Sequence, residues 1–430
     1  MTKPISVQPI RRPTSAQLNP RCTVWSLEEK RRFKVGERTS DDERTRTTSE
    51  VAESRQQRLH IVENLHRGAV ENWLVRMLAY ANAAKIPTDW TFYCSLGQPG
   101  SLDQEARNLG ARVVYSPVPL SNKRWFLSAL RKELRKGKYD VVHCHHDLMS
   151  AAYLISAAGI PLNKRIVHVH NADEALPTPS LLKRRMLREP MRQMCLQMSD
   201  RVVGISNHTL DTFLAGRRRR PERDCVHYYG VDPAPFEKAT ADRARFRRDC
   251  NLPENALILL FAGRVVPEKN PVFVIDVLSR LRALEPDVFA VFAGDGSLVG
   301  DVVARAKALN VENALRILGW RNDVAEVMSC CDWFILPHPE EPREGFGLSV
   351  VEAQLAGLHL LLSQGVANDP LLPTASFRRL SLSDDPDLWA GAAMQLLRGP
   401  SPSRWSAIAA LRNSPMDMGQ ALSGLLGLYR

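Results

Sequence analysis

From Arg58 onward the chain repeats one pattern: a short apolar run, a polar or glycine-containing loop, then a stretch with apolar residues at helical spacing. Leu59-His60-Ile61-Val62 predicts a strand, Asn64 to Gly68 a loop, and Glu71 to Ala84 an amphipathic helix. Further strands are predicted at Trp90 to Tyr93, Val113 to Tyr115, Val141 to His143 and Ile166 to Val169, with helices between them. A second series begins after Tyr229-Gly230-Val231-Asp232-Pro233, where glycine and proline punctuate a linker. Its strands are Leu257 to Ala262, Val288 to Ala293, Leu315 to Leu318 and Cys331 to Leu336. Continuous apolar runs of this kind suit strands covered on both faces. The alternation predicts an α/β protein with doubly wound parallel sheets, whose ligands lie beyond the carboxyl ends of the strands.

One stretch organises the chemistry. Prolines keep Pro337 to Arg343 out of a helix, whereas Ser349 to Leu355 has helical composition, so Glu344 falls in a loop and Glu352 on a helix. Glycines at 345 and 347 let the backbone approach a ligand, and the first-turn N–H groups from Gly347 to Val350 suit a diphosphate. The two acids would then grip hydroxyls. Acids at this spacing are also common as a solvated loop residue and a helix-surface residue. Arg264 and Lys269 follow the strand ending at Ala262, where they would neutralise phosphate from across a shared gap.

His143, His145, His146, His168 and His170 are expected near one crevice in the first half. Their ligand chemistry invites a metal, but alternate side chains of a strand point to opposite faces, so only part of the set converges. The reading favours one useful histidine, His170, and hydrogen-bonded structural roles for the others.

Composition narrows the partners. A chain of 430 residues exceeds one core and implies two or three domains. No run has the length of a membrane span, and the first residues lack the apolar core of a signal peptide, which leads us to expect a cytoplasmic protein. The eight cysteines are scattered without metal-ligand spacing and are read as reduced thiols. A net charge of +11 favours an anionic partner. Between Ser121 and Lys138 seven basic residues stand against Glu133, interleaved with Trp125, Phe126, Leu127, Leu130 and Leu134. Lys183-Arg184-Arg185 and Arg188 form a second such stretch within 181–198. Both suit either an anionic membrane surface or a solvated face over an ordinary core. Arg217-Arg218-Arg219-Arg220 is read as a solvated loop, since no recognition motif for nucleic acid accompanies it.

The ordered set Gly263-Arg264-x-x-x-Glu268-Lys269-Asn270, Ala293-Gly294-Asp295-Gly296, Pro337 and Glu344-x7-Glu352 with Ala353 and Gly357 resembles the retaining GT-B glycosyltransferases of family 4. Gly68-Ala69-x-Glu71 is similar to that family's two-glycine loop, and His170 matches its active-site histidine. The resemblance implies two Rossmann-like domains facing a cleft. The expected division is an arm over 1–56, an acceptor-side domain over 57–234, a nucleotide-sugar domain over 235–415, and a helix over 416–430 as a candidate to cross back.

It further implies roles. Arg264 and Lys269 would bind the donor diphosphate and stabilise the leaving group, with Gly68 close by. Glu352 would hold the ribose, Glu344 the sugar, and Phe346, Gly347 and Leu348 would lend backbone amides. His170 would touch the sugar or leaving phosphate from the other domain. No metal or cofactor is then required; the nucleotide-sugar is a substrate, a UDP-sugar favoured over a GDP-sugar. The expected acceptor is a hydroxyl of a cell-envelope glycan or lipid-linked molecule, reached at the cytoplasmic face of a membrane. Three positions depart from the pattern: His359 replaces a proline, Ala69 a glycine, and Ala367-Asn368-Asp369 lacks a glutamate. Two other readings stay open, a sugar-nucleotide epimerase of similar fold and a non-catalytic nucleotide-sugar sensor.

Overall fold

The computed structural model describes residues 56–66, 68–171 and 181–430, with backbone alone over 181–185. The expected N-terminal arm lies outside these residues apart from its last position, and so do the side chains of Lys183, Arg184 and Arg185.

Among the described residues thirteen strands form two parallel sheets. In the first half β1 (Gln57–Val62), β2 (Asp89–Cys94), β3 (Arg112–Tyr115), β4 (Val141–Cys144), β5 (Lys164–Val169), β6 (Arg201–Gly204) and β7 (Asp224–Val226) take the order β3-β2-β1-β4-β5-β6-β7. In the second half β8 (Leu257–Ala262), β9 (Val288–Ala293), β10 (Leu315–Gly319), β11 (Trp333–Leu336), β12 (His359–Ser363) and β13 (Phe377–Leu380) take the order β10-β9-β8-β11-β12-β13. In both sheets the order reverses beside the first strand of the half, the switch that opens a crevice at the strand ends. The helices that matter below are α1 (Ala69–Ala83), α2 (Lys123–Gly137), α3 (Ser150–Ala157), α4 (Leu181–Met198), α5 (Asn207–Leu214), α6 (Pro271–Leu284), α7 (Leu348–Leu355), α8 (Pro386–Arg398) and α9 (Met418–Gly427). Together the two halves are the GT-B arrangement.

The central strands carry the core. From Ile258 to Phe261 and from Trp333 to Ile335 every side chain is fully buried, because helices cover both faces of the sheet. Each such Leu, Ile or Phe contributes about 1.5–3 kcal/mol by leaving water. Trp333 also satisfies its indole, which donates to the Ala393 carbonyl of α8 at 2.9 Å. Asp385 caps α8 by accepting from the Asp387 N–H at 3.0 Å, so its carboxylate serves a helix end.

The C-terminal segment returns to the first half. Val231 donates to Met416 O at 2.8 Å and accepts from Met418 N at 3.1 Å, leading α9 onto α1. Tyr429 then buries its ring beside His60 and His143, with its hydroxyl 3.1 Å from His143 Nδ1.

Candidate active site

Between β11 and α7 the chain turns so that the Glu344 N–H donates to Gly365 O at 3.0 Å. Gly347 caps α7 in the left-handed region, with φ 88°, where a side chain would be strained. Gly345 closely approaches the first half: a Cβ there would stand 2.7 Å from the His170 carbonyl oxygen. Glycine at 345 therefore lets the two halves meet behind the loop. The positive end of α7 opens beside them.

Lys269 leaves a single helical turn after β8, and its ammonium pairs with the Glu344 carboxylate. His338 Nε2 lies 3.7 Å from the same carboxylate. Glu344 is 13% exposed. Burial would raise its pKa, but Lys269, His338 and Arg264 outweigh that and hold it below the usual range. Arg264 is itself exposed and lies close enough to act on both Glu344 and Glu71.

The second acid is placed differently from the sequence expectation. Lys269 and Glu344 belong to the same half and close on each other, so the gap is not bridged by that pair. Glu352, half-buried on α7, instead faces Arg76 of α1 at 3.5 Å, and this ion pair crosses between the halves. Because Arg76 is 62% exposed, the contact is weak. Burial wins at Glu352 and raises its pKa despite Arg76.

His170 is buried and both ring nitrogens are engaged. Nδ1 meets the Tyr229 hydroxyl at 2.7 Å and Nε2 meets His145 Nδ1 at 3.0 Å, while the backbone N–H donates to Asp147 at 2.6 Å. His145 Nε2 continues to His60 Nδ1 at 3.0 Å, and a parallel chain links Tyr429, His143 and His168. All five imidazoles share one face because His60 pairs with His143 in register and His143, His145 and His168, His170 are two apart on their strands. His146 points the other way, to Tyr153 and Glu63. The triads His60, His143, His145 and His145, His168, His170 bring ligand nitrogens within 4.8 Å of one another. The hydrogen-bonded rings sit 5.2–5.3 Å apart between centres with nitrogens 3.0–3.1 Å apart, a separation that N–H···N hydrogen bonds satisfy when the tautomers alternate.

Two family profiles divide the chain between them. "Glycosyltransferase Family 4" matches residues 70–235 and "Glycosyl transferases group 1" matches residues 242–403. The chain belongs to the group 1 glycosyltransferases. It is 26% identical over 379 residues to the putative glycosyltransferase EpsF of Bacillus subtilis, covering 86% of this chain and 95% of that one. It is 27% identical over 281 residues to the UDP-Gal:alpha-D-GlcNAc-diphosphoundecaprenol alpha-1,3-galactosyltransferase of Escherichia coli, covering 63% of this chain and 70% of that one. Among solved structures, Anabaena HepE in complex with UDP superposes with a TM-score of 0.70 at 17% identity, over 86% of this chain and 99% of that one.

Other residues singled out in the sequence acquire partners that the sequence did not reveal. Phe346 is buried between Tyr228 and Tyr229 of the linker, each 5.7 Å away between ring centres. Asp369, in the segment that departs from the family pattern, accepts from the Asn207 N–H and side chain at 2.9 Å and so ties α5 to the second half. His359 is accommodated at the start of β12 by Ser376 at 2.8 Å. Gly68 caps α1 in extended conformation, and the Glu71 carboxylate occupies the space a side chain at 68 would need. Burial pushes Glu71 up to about 7, against the pull of Arg264. This acid, in the first turn of α1, was visible only as part of the Gly68-Ala69-x-Glu71 motif.

Proposed function

We propose that this glycosyltransferase moves a sugar from a nucleoside diphosphate donor, a UDP-sugar ahead of a GDP-sugar, to a hydroxyl of a cell-envelope glycan or lipid-linked acceptor. The configuration of the sugar is retained and no metal takes part. The observation that carries the donor half is the Lys269 ammonium paired to Glu344 beside Arg264, at the start of α7. An entering diphosphate replaces Glu344 as partner of Lys269, and Glu344 is released to the sugar hydroxyls. The bond from the anomeric carbon to the phosphate oxygen breaks as the acceptor oxygen forms its own, and the hydroxyl proton passes to the departing diphosphate. Fixed cations in a dry cleft stabilise that charge. Glu352 exchanges Arg76 for the ribose. Gly68, Phe346, Gly347 and Leu348 shape the pocket, and His170 reaches the donor by giving up Tyr229 or His145. Retention rests on the resemblance to family 4.

The acceptor half is supported by one outer face. On α2 the stripe Phe126, Leu130 and Leu134 is buried, which leaves Lys123, Arg124, Lys132, Arg135 and Lys136 outward beside Trp125, 67% exposed. Ile155 on α3 and Met186 and Leu187 on α4, the next helices in the layer, are exposed as well. Cations around apolar side chains suit an anionic lipid surface. No helix among the described residues is long and apolar enough to cross a membrane. The E. coli relative acts on a diphosphoundecaprenol-linked sugar by its name.

The test is Lys269→Ala. Turnover of UDP-glucose or UDP-galactose, followed as UDP release, should fall by about 10²–10³-fold while the thermal midpoint holds. Wild-type turnover in that variant contradicts the donor site. UDP release that needs an added acceptor separates transfer from epimerisation and from a sensor. For the surface, Lys132→Glu with Arg135→Glu should abolish pelleting with phosphatidylglycerol vesicles, and unchanged pelleting removes the membrane from the proposal.

A further inference from the structure

The arginine run read from the sequence as a solvated loop has no regular secondary structure, and it borders a groove. A groove of about 750 Å³ lies between the C-terminal part of α4 and the segment joining α5 to β7, and Arg217, Arg218, Arg219, Arg220 and Arg223 all line it. Consecutive residues of a solvated extended loop would point to alternate sides. All four nevertheless border this one concavity, with Arg218 and Arg220 more exposed than Arg217 and Arg219, and the segment closes where Arg220 O accepts from the N–H groups of Arg223 and Asp224 at 2.9 and 2.7 Å and the Arg220 N–H donates to Asp224 at 2.8 Å.

Three of the five guanidinium groups are pinned. Arg217 donates to Leu214 O at 3.0 Å and pairs with Glu189 of α4. Arg219 donates to Asp211 at 2.7 Å and to Asn207 Oδ1 at 2.9 Å. Arg223 grips Asp224 through two bonds of 2.6 and 2.9 Å and donates to Leu196 O at 2.9 Å. Each pinned group keeps donors to spare, since a guanidinium offers five N–H bonds. Glu189, Asp211 and Asp224 are engaged in these contacts, while Glu222 of the same segment is exposed. Arg218 and Arg220 are exposed, and their guanidinium groups have no hydrogen-bond or ion-pair partner among the described residues. The groove thus presents fixed positive forks plus two unsatisfied ones, with Gln193 and Gln197 amides on the opposite wall.

We infer that this groove binds a ligand carrying two or more phosphate groups, or the phosphate headgroups of an anionic lipid. Arginine forks match phosphate oxygens in pairs, and forks already held in place lose little further freedom on binding. A volume in the range of small-molecule pockets is too large for a single ion to fill. None of the lining residues belongs to the donor cleft, so the inference stands whether or not that cleft transfers a sugar.

The probes are inorganic tripolyphosphate, titrated by calorimetry into the full chain with UDP at saturation, and vesicles of phosphatidylcholine with or without phosphatidylglycerol. The variant is Arg218→Glu with Arg220→Glu, with Arg218→Gln and Arg220→Gln as the uncharged form. Wild type should bind tripolyphosphate with one-to-one stoichiometry, weakened about tenfold or more in both variants, while UDP affinity and thermal midpoint stay unchanged. Vesicle binding that depends on phosphatidylglycerol and on Arg218 and Arg220, without tripolyphosphate binding, also supports the groove and assigns it to a lipid headgroup. Equal binding by wild type and variants, or no binding of either probe by wild type, overturns the inference.

Discussion

Acidification should unfold the first half of the molecule well above the pH at which carboxylates titrate. Burial, with the Arg58 charge added, lowers His60 to about 3, and burial with His146 and His227 lowers His170 to about 3. His143, His145 and His168 are also held well below the usual value by burial and by one another. In the unfolded chain each returns to about 6.5. The folded pKa is the lower one, so the stabilisation is complete above about 6.5 and is lost as pH falls toward the folded values. Between pH 7 and pH 5 one such histidine costs about 2 kcal/mol, and five cost on the order of 10 kcal/mol, which is comparable to the whole stability of a domain. The hydrogen bonds sharpen the effect, since an imidazolium offers two donors and no acceptor to neighbours that need one of each. Trp73 lies 5.5 Å from His168 and Trp90 4.5 Å from His60 between ring centres, so tryptophan fluorescence reports on the cluster directly. The thermal midpoint should drop by on the order of 10 °C or more from pH 7.5 to pH 5.0. In His60→Leu the slope of stability against pH should fall by about one proton. A midpoint that moves by only a degree or two over that range would refute the argument.

Arg76→Ala should change stability by less than about 1 kcal/mol, since the Arg76 end of its pair with Glu352 is largely exposed. UDP should bind at least as tightly, and weaker binding in a UDP titration would mean that Arg76 itself touches the donor. Gly345→Ala sets a methyl group against the His170 carbonyl and should lower turnover by about tenfold or more by parting the halves, whereas wild-type turnover would show that the loop yields. Asp417→Ala removes the acceptor for the N–H groups of Gly419 and Gln420 at the start of α9. It should cost about 1 kcal/mol in a denaturant titration, and an unchanged midpoint would show that other acceptors take over.

The parts of the site that the sequence made legible are those fixed by local order. Lys269 follows its strand and Glu344 precedes its helix, so alternation alone brings both to one sheet end. The i, i+2 spacing of His143 with His145 and of His168 with His170 likewise announces a common face. What stayed hidden depends on partners far apart in sequence. Nothing in α1 marks Arg76 as the partner of Glu352, and nothing in β1 marks His60 as the end of a chain that begins at Tyr229 in the linker. For that reason a histidine that looked free for chemistry proved to be hydrogen-bonded at both nitrogens. Arg217 to Arg220 do form a loop with exposed members, but that they border a groove with Arg223 depends on bonds to Asp224 and on the packing of α4, which composition does not encode.

The return of the C-terminal segment has a consequence for synthesis and engineering. His143 acquires its Tyr429 partner from 286 residues downstream. While the ribosome is still making the second half, the nascent first half therefore holds its imidazole stack open on the side that Tyr429 later covers. The two lobes are then not interchangeable modules, and a chimera that swaps the first lobe has to carry residues 418–429 with it, or it will inherit a wall built for someone else's tyrosine.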